Sequence, residues 1–233
     1  MKKIAIITAR GGSKRIPKKN IKKFIDKPII AYSIEAAINS KLFDEVMVST
    51  DSKEIASISK EYGASVPFFR SEETSNDFAT TTDVLKEVIN KYKEMGVTFD
   101  IACCLYPTAP FVTGEKLKQA YETLKKSNFD SVVPVTAFSF PPLRGVVIND
   151  EKISYKWEEY SQKRSQDLET IYHDCGQFYM FNIEKIMQKG KLITDNTGGI
   201  IVDELEVQDI DNETDWKLAE IKYKLMKGKN NEN

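Results

Sequence analysis

Residues 9–20 read Ala-Arg-Gly-Gly-Ser-Lys-Arg-Ile-Pro-Lys-Lys-Asn and follow directly on the apolar run Ile4-Ala5-Ile6-Ile7. A buried strand thus runs into a loop with two glycines, a serine, a crowd of cations and no acid. Glycine lets backbone approach a ligand closely, and free N–H groups with Arg and Lys together suit a polyphosphate. The loop therefore nominates a nucleoside triphosphate. A run of lysines by itself is more often a solvated surface loop; the two glycines and the preceding strand favour the phosphate reading here. The remaining nucleophile-bearing residues are less informative. Cys103, Cys104 and Cys175 show no metal spacing and read as buried thiols, and the sole histidine, His173, has no partner pattern for nucleophilic catalysis.

The elements that must position this loop alternate. Strand patterns at 4–8, 46–50, 101–105 and 131–136 are separated by helical patterns. One helix is opened by Pro28, one is capped by Asp51, one carries Val84, Leu85, Val88, Ile89 and Tyr92, and one is capped by Thr113. This order predicts an α/β fold, a three-layer αβα sandwich around a mostly parallel sheet, with sites at the carboxyl ends of its strands. The alternation breaks at about 137–172, which contains Pro141-Pro142 and a hairpin through Asn149-Asp150 and reads as an inserted subdomain. Strands are expected again at 177–181 and 206–210, then a closing helix marked by Leu218, Ile221 and Leu225. One domain is expected over 1–228, with a frayed tail at 229–233.

The 233 residues carry 41% hydrophobic and 30% charged residues and a net charge of −1, ordinary for a globular protein and unlike a dedicated nucleic-acid binder. No apolar run approaches the ~20 residues of a membrane span, and Ile4–Ile7 is too short for a signal-peptide core. Together with unpaired cysteines, this predicts the cytoplasm, with no membrane or nucleic-acid partner.

The loop does not fit a Walker A frame or a Gly-x-Gly-x-x-Gly dinucleotide signature. Residues Ala9–Lys14, Pro17, Lys19 and Asn20 instead resemble the first loop of the CMP-sialate synthetases, a family of Rossmann-like sugar-acid cytidylyltransferases. The resemblance continues to about residue 225, through Val48–Asp51, Val66–Arg70, Asn76–Thr81, Leu105–Pro110 and Asp209-Ile210-Asp211. It implies CTP as substrate. Arg10 would lie on the α-phosphate or leaving oxygen, Ala9, Gly11 and Gly12 along the phosphates, and Ser13 and Lys14 on the β- and γ-phosphates. Lys19 would reinforce them and Asn20 would bind the ribose. Arg70, Ala79, Thr81 and Tyr106 would line the base and ribose, Tyr106 standing where the family has glutamine. Asp209 and Asp211 resemble the family's metal pair. Carboxylates at i and i+2 of a strand end share one side and suit Mg²⁺, with Mn²⁺ the alternative, although an isolated Asp-x-Asp is more often a solvated turn.

Arg164–Glu169 and Tyr172–Tyr179 look like the pseudaminate branch of the family. Arg164 (from its own or a partner subunit) would hold the sugar carboxylate, with His173, Gln177 and Tyr179 lining the sugar pocket. The implied reaction transfers CMP from CTP to the anomeric hydroxyl of a nine-carbon 2-keto sugar acid (a nonulosonic acid) and releases pyrophosphate, with Arg10, Lys19, Asp209 and Asp211 as the catalytic set. No side chain is singled out as general base. The resemblance also implies a homodimer paired through the insertion. Rival readings are N-acetylneuraminate, legionaminate or 3-deoxy-manno-octulosonate as the acid, or a non-catalytic nucleotide-binding protein. An aspartate-nucleophile phosphatase lacks its Asp-x-Asp after the first strand.

Overall fold

Ile4–Ile7 show no solvent exposure, as an apolar run does when its strand is covered on both faces. The computed structural model describes residues 1–13 and 15–230. In chain order the strands and helices are β1 (Lys3–Thr8), β2 (Lys23–Phe24), β3 (Lys27–Pro28), α1 (Ile29–Ser40), β4 (Glu45–Ser49), α2 (Lys53–Glu61), α3 (Glu72–Ser75), α4 (Thr81–Glu94), β5 (Ile101–Leu105), α5 (Gly114–Lys126) and β6 (Ser131–Ala137). There follow β7 (Val146–Asn149), β8 (Lys152–Tyr155), β9 (Tyr172–Asp174), β10 (Phe178–Asn182), α6 (Ile183–Lys189), β11 (Thr197–Ile201) and α7 (Glu213–Asn230).

The main sheet has the order β11-β6-β10-β5-β1-β4, with β9 also on β6. β4 and β5 run parallel to β1, and β11 runs parallel to β6. β10 lies antiparallel between β5 and β6. β9 and β10 lie on the same strand, β6, and are separated by a break at Gly176, whose φ of +60° lies in the left-handed region where a side chain is strained. One core layer joins α1, α2 and α5 to the sheet, through residues such as Ile34, Ile55 and Leu117. The other face is covered by Leu85 and Val88 of α4 and Ile186 of α6. This is the expected three-layer α/β sandwich, mostly parallel, with β9 and β10 the two antiparallel strands.

Three local expectations are corrected. Residues 206–210 form no strand; a short 3-10 turn at Glu204–Glu206 leads into extended chain, and the parallel edge strand is β11. Gly198-Gly199 hides that strand from any apolar alternation. Gly198 is required there, because a Cβ would meet the Phe129 ring at 2.4 Å. Ser52, not Asp51, caps α2, its side chain accepting from the Ile55 N–H. On α7 the buried face is Trp216 and Ala219 with Tyr223 and Met226 packed beside them, whereas Leu218, Ile221 and Leu225 are exposed. α7 is described to Asn230, so most of the expected tail lies outside the described residues. Among the described residues no helix is long and apolar enough to cross a membrane.

The 138–171 segment leaves the sheet after β6 and returns at β9, closed by the Phe138 N–H donating to the Ile171 carbonyl at 3.0 Å. Its hairpin, β7 with β8, turns through Asp150 and Glu151, both left-handed. Ile148 and Ile153 of that hairpin are each 69% exposed.

Candidate active site

The first loop leaves the carboxyl end of β1, where parallel-sheet topology places ligand sites. Ala9 is buried and its N–H continues the ladder to the Ser49 carbonyl at 3.0 Å. The Gly11 N–H then donates to Asp51 Oδ1 at 2.7 Å. Asp51, read from sequence as a helix cap, thus holds the first loop. A Cβ on Gly11 would lie 3.1 Å from Ser52 Cβ, so the approach needs glycine. Gly12 differs, for a Cβ there meets no protein atom within 4 Å, yet the residue lines the main cleft. Downstream, Ile16 is buried against Phe24 and Trp216, which pins the far end of the loop.

That cleft has a volume of about 460 Å³ and is lined by Thr8, Arg10, Gly12, Ser13, Arg15, Lys19, Asn20, Asp77, Tyr106, Pro107, Thr108 and Asp211. It brings the loop together with the chain after β5 and the segment before α7. Arg10 Nη1 pairs with Asp77 Oδ1 at 2.6 Å, and Arg15 Nη2 with Asp211 Oδ1 at 2.8 Å. Lys19 Nζ donates to the Ile210 carbonyl at 2.7 Å. Burial lowers the Lys19 pKa from its ordinary value, against the raising influence of Asp211 and Asp209. Asn20, expected on a ribose, is buried and donates its amide to the Arg10 carbonyl at 2.8 Å, which fixes the backbone that carries Arg10. Lys14 lies outside the described residues.

A second cavity of about 270 Å³ adjoins the cleft, sharing Thr8, Arg10, Asp77 and Tyr106, and adds Arg70, Ala79 and Thr81. Arg70 is buried and aimed by Ser49, donating to its hydroxyl at 3.1 Å and its carbonyl at 2.7 Å. Desolvation lowers its pKa, but a guanidinium remains charged at any ordinary pH. The Thr81 and Tyr106 hydroxyls lie 3.3 Å apart. The expected base and ribose residues are therefore gathered in one place.

The expected sugar residues are more dispersed. His173 and Asp209 line a third cavity of about 230 Å³ with Thr136, Phe138, Gln208 and Lys222. The His173 ring sits 4.7 Å from that of Phe138. Asp209 therefore faces this cavity and Asp211 the main cleft, one on each side of buried Ile210. Gln177 is buried, and its amide donates to the Glu206 carbonyl at 2.6 Å, so it ties down the segment leading to Asp209. Tyr179 donates to Asp174 Oδ2 at 2.5 Å; burial and that bond raise its pKa strongly. Arg164 is exposed, lies outside these cavities and pairs with Asp167 at 2.8 and 3.0 Å. Sequence reasoning gave no site role to Thr8, Pro107 or Thr108 and read Asp51 only as a cap. All four lie at or just beyond the carboxyl ends of parallel strands, and that position was the available signal. Burial pushes the Cys104 and Cys175 thiols up to about 12 and Cys103 well above its ordinary value, as inert buried thiols require.

Among the described residues no cluster of three or more His, Cys, Asp or Glu could hold a metal. The expectation that Asp209 and Asp211 share one side is corrected, since residues 209–211 are not strand and the two carboxylates line different cavities. Of the two, Asp211 alone lies in the main cleft, where one carboxylate with waters and substrate phosphates suits a hard cation such as Mg²⁺.

Known proteins bear on this arrangement. The pseudaminic acid cytidylyltransferase of Campylobacter jejuni is 39% identical over 226 residues, 97% of this chain and 97% of that protein. The CMP-N,N'-diacetyllegionaminic acid synthase of Legionella pneumophila is 37% identical over 236 residues, again 97% of each. The solved CMP:2-keto-3-deoxy-manno-octonic acid synthetase complexed with CTP matches with a TM-score of 0.69 over 98% of this chain and all of that one; at 18% identity it speaks to the fold alone. The family model described as Cytidylyltransferase matches residues 4–187, which takes in the loop, Arg70 and the chain after β5. With a glycine-bearing basic loop at a strand end and relatives of this identity along nearly its whole length, the chain belongs to the cytidylyltransferase family.

Proposed function

We propose that the protein transfers CMP from CTP to the anomeric hydroxyl of a nonulosonic acid, pseudaminic acid first among them, with release of pyrophosphate. The observation that carries this reading is the meeting of Arg10, Gly12, Ser13 and Lys19 with Asp211 in one cleft. The sugar assignment rests on the 39% relative, and the 37% relative makes a legionaminic acid the second reading.

In the transfer the anomeric oxygen forms a bond to the α-phosphorus while the bond to the bridging oxygen of the leaving pyrophosphate breaks. Proteins contribute to such steps through positioning and charge stabilisation. Arg10 would meet the charge growing on the α-phosphate and the leaving oxygen. The backbone at Gly11 and Gly12, with Ser13 and Lys14, would follow the β- and γ-phosphates, and Lys19 would neutralise them from beneath. Arg70, Ala79, Thr81 and Tyr106 would enclose base and ribose. Asp211, in the main cleft, would hold a divalent cation, Mg²⁺ or Mn²⁺, and Asp209, which lines the neighbouring cavity, would have to turn toward it to share the ion. Such a cation, when bound, would neutralise phosphate charge and lower the hydroxyl pKa. His173 and Tyr179 would border the sugar. Arg164, already paired with Asp167, would reach a sugar carboxylate from the partner of a homodimer. We place the reaction in the cytoplasm, where CTP is made.

Pyrophosphate release measured with CTP, Mg²⁺ and a panel of pseudaminic, legionaminic, N-acetylneuraminic and 3-deoxy-manno-octulosonic acids tests the reading. Pseudaminic acid should give the highest kcat/KM. Turnover with none of the four would sink the proposal. Asp211→Ala should lower kcat by ~10²-fold or more in a folded protein.

A further inference from the structure

We propose that Asp77 is an internal stand-in for the nucleotide's phosphates, a carboxylate on Arg10 that the polyphosphate must displace to bind. The inference rests on the nucleotide reading above. Arg10 Nη1 lies 2.6 Å from Asp77 Oδ1 and 3.3 Å from the Asn76 carbonyl, so the guanidinium assigned to the α-phosphate is engaged by one short turn. Asp77 and Arg10 both line the main cleft, and both line the adjoining base cavity. The carboxylate therefore stands at the crossing between the two, on the route of a chain of phosphates running from the base side toward Lys19. There it both competes for Arg10 and repels the incoming charge.

The turn that presents Asp77 is built from Asn76. Its Oδ1 accepts the Phe78 N–H at 2.8 Å and the Ala79 N–H at 3.0 Å, and its Nδ2 donates to the Glu73 carbonyl at 2.7 Å. The turn reaches solvent at its next residue, Phe78, which is 93% exposed. The Asp77 side chain is itself nearly half exposed, so water screens its pairing with Arg10. Nucleotide affinity is thereby set below what the cations of the loop would give alone. The same carboxylate returns to Arg10 as pyrophosphate departs, which favours release of that product.

The test is equilibrium binding of CTP, pyrophosphate and cytidine to the wild-type protein and to Asp77→Asn, by calorimetry at fixed Mg²⁺ and low salt. Asp77→Asn should bind CTP and pyrophosphate about fivefold more tightly, the range of an exposed ion pair, and cytidine equally well. The gain should shrink as salt is raised. Asp77→Ser should act in the same direction, which separates loss of charge from any new hydrogen bond of asparagine. Unchanged or weaker CTP binding in both variants, with thermal midpoints like wild type, overturns the inference and leaves the nucleotide reading standing. A wild-type protein that binds no CTP removes both.

Discussion

The Lys19 ammonium donates to the Ile210 carbonyl at 2.7 Å, joining the first loop of the chain to the segment between the two acidic residues 209 and 211. That segment has no regular secondary structure and is held by side chains. Lys222 donates to the Glu204 and Val207 carbonyls, Gln177 to that of Glu206, and Asp215 accepts the Asp211 N–H at 2.9 Å. Lys19 is thus a strut for the segment of the acidic pair, in addition to the phosphate role proposed for it.

Lys19→Met is expected to lower kcat by ~10²-fold, the scale for removing a charge-stabilising donor. Burial lowers the Lys19 pKa, so its charge is lost as pH rises through a value below the ordinary 10.5. The alkaline limb of kcat/KM should begin below that point. In stability terms the unfolded chain binds more protons across that window, so burying the ammonium costs stability that is regained as pH rises through it. Lys19→Arg should move the alkaline limb upward, and pyrophosphate release followed across the alkaline range checks both statements.

The two glycines of the loop should separate experimentally. Gly11→Ala forces a Cβ against Ser52 at 3.1 Å and is expected to destabilise the fold by about 1 kcal/mol, read as a lower thermal midpoint. Gly12→Ala meets no protein atom and should leave the midpoint unchanged while raising the KM for CTP about tenfold, because its methyl group stands where backbone approaches phosphate. Equal thermal and kinetic effects at the two positions would contradict this division.

Glu87 anchors Thr74, which lines the cavity around Arg70. It accepts from the Ser71 N–H at 2.9 Å and from the Ser71 and Thr74 hydroxyls, and it pairs with Lys91 at 2.6 Å. Burial disfavours its charge, but the bonds from Lys91, Thr74 and Ser71 prevail and hold the carboxyl down at about 2. A depressed carboxylate pKa contributes stability above its ordinary value of 4.5 that is lost as pH falls through about 2. Glu87→Gln should therefore lower neutral-pH stability by about 2–3 kcal/mol and flatten the acid limb of an unfolding series between those limits.

The exposed hairpin of the insertion should be where two copies meet. Ile148→Asp is expected to yield a 26.6 kDa monomer in light scattering, with the wild-type protein at twice that mass. If the partner supplies Arg164, Arg164→Ala should raise the KM for the sugar acid and leave that for CTP near wild type.

What could be read from the sequence follows from contiguity. Residues 4–20 hold a strand, two glycines and the cations in one stretch, so a basic glycine loop at the end of β1 was legible without tertiary information. Asp51 was seen but misjudged, because its bond to Gly11 depends on β4 lying beside β1, which no local pattern reports. Residues 206–210 looked like a strand because Val207 and Ile210 are apolar and buried, but side-chain donors rather than a neighbouring strand satisfy their carbonyls. On α7 two apolar stripes compete. The Trp216, Ala219, Tyr223 and Met226 stripe wins because Phe24, Tyr32 and Phe111 supply an aromatic surface for it, and only the fold reveals that surface.

The hydrogen bond between Phe138 and Ile171 makes the entry and exit of the insertion adjacent points on a single strand pair. A segment whose ends meet in this way can be exchanged whole without shifting the register of β6 or β9. Grafting residues 138–171 between relatives that act on different acids would then ask how much of sugar choice travels with this cassette, and how much stays behind with His173 and Tyr179 on the sheet.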